Sequence, residues 1–372
     1  MEPEQTISPG DIEERKLNAI YNDLPQETRD AIGNFEFKRV GDAGFIVQRT
    51  NFPVAQGKDW ILVDYDDTTA ATTDAKVPRK EQYTEYLQGL DPRISTDTCA
   101  LLIKITDEFS RWQEHEGAGT QYHPNAHVDA LDWAAQQLRN YIDAGIPQEV
   151  ALSHISQTLR RIQNGTVEKD DPFYFNPDKK QLINNGIRPR NLALEQIFNT
   201  TIADPRIYDE IIEAMHKLGT HPNDDPTNLG ILTYGEPNYQ FRKILRLLQQ
   251  HPNLPVSQIL LTQIPKGEFI KRVIDMEAGE SGQLFGPDPH TVILVDDDPK
   301  QLDNMVRMAK DLEAGGKTGA RIQTLRSVRT HTKRGAATGD PTIRHTAINF
   351  DSPATEREAL ASVLTTLLSH ST

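Results

Sequence analysis

The most apolar stretches of the chain are short and unbroken, and each stops at polar residues. WILV (60–63), LGILTY (229–234), SQILLTQ (257–263) and HTVILV (290–295) are of strand length. Runs of this kind suit strands buried on both faces of a sheet. Between and after them come segments with helical spacing: NYQFRKILRLLQQ (238–250), KGEFIKRVIDMEA (266–278) and PKQLDNMVRMAKDLEA (299–314). ARIQTLRSV (320–328) reads as a further strand, and SPATEREALASVLTTLL (352–368) as a last helix capped by Ser352 or Thr355. Strand–helix alternation of this kind predicts βαβ units on a parallel sheet with helices on both faces, a Rossmann-like α/β fold.

A long block interrupts this alternation. RKEQYTEYLQGL, TCALLIKITDEFSRWQEH, HVDALDWAAQQLRNYIDAG and PQEVALSHISQTLRRIQNG all show helical spacing, and in the third Val128, Leu131, Ala135 and Leu138 share one face. VEKDDPFYFNPDKK (167–180) reads as a loop, and helices follow near 191–198 and 205–218. The expected organisation is therefore an α/β core in two pieces, 59–75 and 226–372, around an all-helical insert at 76–225. Residues 1–58 stand as an N-terminal extension, with a helix near 11–22 and a probable hairpin around the GDAG turn at 41–44.

Charge and composition narrow the function classes. The net charge of −14 argues against general nucleic-acid binding, which rests on phosphate contacts. Cys99 is the one cysteine, so neither an intrachain disulfide nor a cysteine-rich zinc site is available. No apolar run approaches a membrane span, and the acidic start MEPEQTISPGDIEERK does not read as a signal peptide. The expectation is a cytoplasmic protein with no membrane partner. Nothing in the sequence sets the oligomeric state.

In open parallel sheets, sites lie at the carboxyl ends of the strands. Here those ends carry Asp64-Tyr65-Asp66-Asp67-Thr68, Thr233 and Asp296-Asp297-Asp298, with Lys266 opening the helix before the last of these strands. Each feature alone reads as a turn or a solvated helix start. Together they supply what metal-assisted phosphoryl transfer requires. Carboxylates brought side by side need a cation. Mg²⁺ takes a few carboxylates, with water and phosphate completing its shell. An aspartate can attack phosphorus, a second can move protons, and a hydroxyl and an ammonium can hold phosphoryl oxygens.

These motifs resemble those of the haloacid dehalogenase-like superfamily of phosphohydrolases. ILVDYDDTT is similar to its first motif, LGILTY to the second, Lys266 in IPKGEFIKRV to the third and VILVDDDP to the fourth. The resemblance implies Asp64 as nucleophile, Asp66 as general acid/base, and Thr233 and Lys266 as phosphate ligands. It implies a Mg²⁺ site of Asp64, Asp296 and Asp297 with the Asp66 carbonyl. It further implies a phosphatase acting on a small phosphorylated metabolite through an aspartyl-phosphate, with the helical insert as a cap. A phosphotransferase or phosphomutase of the same fold, or a non-catalytic binding protein, are the alternative readings. Lys271 competes with Lys266, the triple aspartate leaves a one-residue choice of register, and Asp67 is expected to be a turn residue. The segment 35–59 is not part of the family pattern.

Other features read as decoys. AGGKTG (314–319) follows a helix and lacks the first P-loop glycine, Asp311 standing in its place. His123 and His127 read as a loop or helix start, and the basic stretch 326–345 as a loop or an anion contact. Trp112 and Trp133 are expected inside the helical block.

Overall fold

The apolar runs become the middle of one sheet. The computed structural model describes residues 9–55, 59–72, 76–112, 124–164, 173–176, 181–184, 191–202, 205–219, 227–277, 290–315, 320–329, 339–350 and 362–364. In chain order the elements begin with α1 (Pro9–Asn22), α2 (Gln26–Ile32), β1 (Phe35–Val40), β2 (Gly44–Arg49) and β3 (Trp60–Val63). Next come α3 (Lys76–Leu90), α4 (Thr96–Trp112), α5 (Pro124–Asp143), α6 (Gln148–Gln163), β4 (Phe173–Asn176), β5 (Gln181–Asn184) and α7 (Leu192–Ile202). The rest are α8 (Asp209–Gly219), β6 (Asn228–Tyr234), α9 (Pro237–Gln250), β7 (Val256–Thr262), α10 (Lys266–Glu277), β8 (His290–Asp296), α11 (Pro299–Ala314), β9 (Ala320–Val328) and β10 (Thr346–Asn349).

Eight strands form one sheet in the order β1-β2-β7-β6-β3-β8-β9-β10. The pairs from β7 to β10 are parallel, while β1 and β2 are antiparallel at one edge. The short β3 lies between β6 and β8, with Val63 level with Ile231 on one side and Val295 on the other. Successive side chains of a strand point to opposite faces, and two apolar clusters result. Ile61, Val63, Ile293 and Val295 join residues of α1, α8 and α9. Trp60, Leu62, Val292 and Leu294 join Phe269 and Ile270 of α10 and Leu302 and Met305 of α11. With helices on both faces, continuous apolar runs are the composition β3 and β8 require. From β3 the chain builds outward through β6 and β7, then crosses back to build β8, β9 and β10 on the other side. β3 and β8 thus form the switch point of the sheet, where ligands of such folds bind.

The chain divides into two compact units, 1–73 with 205–372, and 74–204. This corrects the sequence expectation in three respects. Residues 9–55 are part of the core and not an extension to it. β2 pairs with β7, and Leu17 and Ile20 of α1 join the apolar cluster that contains α9. The fully buried Arg49 fastens this region, donating to the carbonyls of Leu254 at 2.7 Å, Ile32 at 2.8 Å and Pro252 at 2.9 Å. Burial among neutral acceptors pushes its pKa down to about 10. The insert ends earlier than expected, because Ile211, Ala214 and Met215 of α8 pack with Leu229 and Ile231 of β6. Nor is the insert all helical, since β4 and β5, partly within the stretch read as a loop, pair as an antiparallel hairpin.

Within the second unit, the face read from sequence is the buried one: Val128, Leu131, Ala135 and Leu138 are at most 1% exposed. Trp133 is buried there too. His127 contacts the Phe198 ring and the Asp107 carboxylate, at 3.7 Å, so it serves packing. His123, the Trp112 side chain, residues 316–319 of AGGKTG, and Ser352 and Thr355 lie outside the described residues. Of the basic stretch, Arg329 is buried between the Tyr208 and Phe350 rings and bonded to Glu210 at 2.8 Å, and His345 is bonded to Asp303 and Thr324. These two side chains are structural; residues 330–338 lie outside the described set. Among the described residues, no helix is long and apolar enough to cross a membrane.

The pairing of β2 with β7 depends on a residue without a side chain. Gly44 has φ 146°, and a Cβ there would lie 1.9 Å from the Leu261 carbonyl oxygen. Gly44→Ala is expected to destabilise the protein by about 2 kcal/mol or more in urea denaturation, from backbone strain and a clash that rigid β7 backbone cannot relieve.

Candidate active site

The three strand ends flagged by the sequence converge at the switch point. Asp64 follows β3 directly, and its N–H donates to the Val295 carbonyl at 2.8 Å, extending the β3–β8 ladder by one residue. The chain then turns tightly. Asp67 has φ 57°, a left-handed conformation that aspartate tolerates better than most residues. Its N–H donates to the Ala70 carbonyl, and its Oδ1 accepts from Thr72. Asp67 is therefore the turn residue, as expected, although it is buried. The Thr69 hydroxyl donates to the Asp64 carbonyl at 2.7 Å and closes the loop.

Asp296 ends β8, and Asp297 follows it; both are fully buried. Asp298 caps α11, accepting from the Lys300 N–H at 2.9 Å, with Pro299 in the first helical position. The register of the triple aspartate is thereby resolved. Carboxylate oxygens of Asp64, Asp296 and Asp297 lie within 4.8 Å of one another.

Lys266 sits among them, 1% exposed. Its ammonium donates to Asp64 Oδ1 and to Asp296 Oδ2, the latter at 2.5 Å. A lysine at a helix N-terminus opposes the helix dipole. Here two carboxylates offset that, and side chains of α11 satisfy the first N–H groups of α10. Gln301 accepts from the Lys266 N–H at 3.0 Å and Asn304 from the Gly267 N–H at 2.8 Å. Lys271, by contrast, is 45% exposed and faces Asp275.

Thr233, fully buried near the end of β6, donates to Gln240 Oε1 at 3.2 Å. Asp66 is partly exposed, and its carboxylate is engaged by α9, with Lys243 on Oδ1 and Gln240 on Oδ2 at 3.4 Å. The sequence reading did not include Gln240 and Lys243. A signal was present, since two polar residues three apart share a helix face with Phe241, Ile244, Leu247 and Leu248, all buried.

The electrostatics of the pocket are unbalanced. Lys243 matches Asp66. Lys266 is bonded to Asp64 and Asp296, and the Asp297 carboxylate is gathered with theirs, so three buried acidic side chains crowd around one ammonium. Burial pushes the Asp64 carboxyl up, to about 8, opposed by Lys266 and reinforced by Asp296 and Asp66. The carboxylates hold the Lys266 ammonium above its usual range despite its burial. Asp64 Oδ2 and the Thr68 hydroxyl are buried and have no hydrogen-bond partner among the described residues. A hard divalent cation with oxygen ligands fits this donor set and this charge.

No family model and no curated protein matches the chain. Three solved structures align with it over most of their length. The HAD-hydrolase YfnB from Bacillus subtilis, bound to magnesium, has a TM-score of 0.43 and 14% identity, covering 82% of this chain and 98% of its own. 2-Haloacid dehalogenase from Pseudomonas syringae pv. Tomato DC3000 has a TM-score of 0.40 and 12% identity, covering 83% and 99%. A haloacid dehalogenase-like family hydrolase from Xanthomonas campestris has a TM-score of 0.39 and 10% identity, covering 85% and 99%. The chain's resemblance to the haloacid dehalogenase-like superfamily rests on its ordered motifs and on the strand ends that carry them.

Lys266→Met leaves the three carboxylates without their ammonium. Removing one partner of a buried charge cluster costs about 3–5 kcal/mol, so a loss of that order is expected in chemical denaturation. Part of it should return in the Lys266→Met/Asp296→Asn double variant.

Proposed function

We propose that the protein is a Mg²⁺-dependent phosphatase of the haloacid dehalogenase-like type, hydrolysing a small phosphomonoester through an aspartyl-phosphate. The observation that carries this reading is the buried group of Asp64, Asp296 and Asp297 with Lys266 at the carboxyl edge of the parallel strands, three carboxylates with oxygens within 4.8 Å of one another. Asp64 is the nucleophile. One of its carboxylate oxygens forms a bond to phosphorus while the ester P–O bond breaks, and Asp66 delivers a proton to the departing oxygen. Water then attacks the phosphoaspartate, Asp66 takes a proton from it, and inorganic phosphate leaves as the Asp64 carboxylate is restored. Lys266 and Thr233 hold the phosphoryl oxygens as negative charge develops on them.

Mg²⁺ held by Asp64, Asp296, Asp297 and the Asp66 carbonyl would supply Lewis-acid stabilisation of the phosphoryl group. The donor set supports this, since three clustered, buried carboxylates are the hard oxygen ligands such an ion takes. An acid at position 66 favours phosphoryl transfer over dehalogenation, which has no leaving oxygen to protonate. The helical unit enters the chain between Asp64 and Thr233, a position suited to a cap that chooses the substrate. The acidic, cysteine-poor composition suits a cytoplasmic metabolite enzyme.

Asp64→Asn should lower phosphate release from a phosphomonoester panel with Mg²⁺ by at least about a thousandfold, as loss of a nucleophile does. Retention of full release would overturn the assignment. Asp297→Asn should abolish the thermal stabilisation that Mg²⁺ gives the wild-type protein, a readout independent of turnover.

A further inference from the structure

The chemistry proposed for the site uses one buried lysine and leaves a second without a role. Lys243 of α9 is 4% exposed on a helix face whose other buried side chains, Gln240 apart, are apolar. Lysine is rarely buried without a partner. Its ammonium is bonded to Asp66 Oδ1 and lies 5.1 Å and 5.0 Å from the ring centroids of Tyr65 and Tyr239. The Tyr65 hydroxyl in turn donates to the Lys243 carbonyl at 3.3 Å. The residue between the two aspartates of the first motif is thus anchored to the same helical turn that grips the second aspartate.

Gln240, one turn earlier on that face, bridges two predicted functional groups. Its Nε2 donates to Asp66 Oδ2 at 3.4 Å and to the Tyr234 carbonyl at 3.0 Å, while its Oε1 accepts from the Thr233 hydroxyl at 3.2 Å. Gly235 leaves room for this amide: with φ 147°, a Cβ there would lie 2.6 Å from Gln240 Nε2. The base of α9 is rigid as well, since Glu236 caps it by accepting from Asn238 and Tyr239 N–H groups, and Pro237 occupies the first turn. A purely structural ion pair is a poor use of this position. An apolar side chain of similar volume would fill the stripe without the desolvation of two charges.

We propose that Lys243 and Gln240 are positioning residues for the proton transfers of this site. They orient the Asp66 carboxylate toward the ester's leaving oxygen, and Gln240 fixes Thr233 relative to it, so that one helix sets both the acid/base and a phosphoryl-binding hydroxyl. This assignment rests on the phosphatase reading, and the test separates the two. An alkyl phosphomonoester needs its leaving oxygen protonated, whereas p-nitrophenyl phosphate leaves as a stable phenolate. In Lys243→Met, kcat/KM for an alkyl ester such as glycerol phosphate should fall by about 10- to 100-fold, within the range that general acid catalysis supplies. For p-nitrophenyl phosphate it should fall less than about threefold. Lys243→Arg should recover part of the alkyl-ester activity. Lys243→Met/Asp66→Asn should be no slower than Asp66→Asn alone, because residues that act as a unit are not additive.

Equal losses for the two esters, or no loss for either, would overturn the positioning role while leaving the phosphatase intact. A wild-type protein that hydrolyses neither ester would overturn the phosphatase reading and the positioning role with it. Should Lys243→Met fail to fold, Lys243→Gln, which removes the charge and keeps a polar side chain, carries the same comparison with the same expected split.

Discussion

The ammonium of Lys266 between Asp64 and Asp296 is the constraint around which the core is arranged. A buried carboxylate pair is unfavourable in a low-dielectric interior, and these two belong to adjacent strands whose pairing brings them together. Val63 is level with Val295, so the residues that follow, Asp64 and Asp296, must emerge side by side. The cation has to come from a third element. It comes from the first residue of α10, a helix that crosses the sheet from β7 to β8 on the face containing Trp60 and Leu62. The packing of α10 on α11, with Gln301 and Asn304 meeting its first N–H groups, is what delivers that ammonium.

The opposite face provides the second half of the arrangement. α9 packs with α1, α2 and β7 on the face that also carries Ile61, Val63 and Val295, and it sends Lys243 and Gln240 to Asp66. Each aspartate of the first motif therefore answers to a lysine from a different layer. Asp64 is matched from the α10 side and Asp66 from the α9 side. The division follows from β3 lying at the switch point with a helical layer on either face. It also separates two tasks, since Asp64 shares a deeply buried anionic cluster while Asp66 remains partly exposed.

Much of this was legible before any fold was in hand. Unbroken apolar runs ending in acid marked β3 and β8, and the alternation after residue 228 marked the parallel sheet. Asp67 was legible as the turn residue because aspartate tolerates left-handed backbone. The N-terminal region reads as an extension in sequence, because β1 and β2 look the same whether they stand alone or extend a sheet. What joins them to β7 is hydrogen bonding, together with an arginine whose partners include carbonyls more than two hundred residues away. The β4–β5 hairpin is not legible in the sequence, because four-residue strands carry little periodic signal. α8 was placed with the insert because its amphipathic pattern does not state which apolar surface it will cover.

By itself, the sequence determined the residue types at each strand end, their order, and the apolar faces that force helices onto both sides of a sheet. These are local properties, set by side-chain period and turn chemistry. Only the tertiary structure decided between Lys266 and Lys271, between Asp297 and Asp298, and whether Gln240 and Lys243 were surface or site. Those choices depend on which helix turn faces the strand ends and on which charges are left buried together, and both arise from packing between segments far apart in the chain.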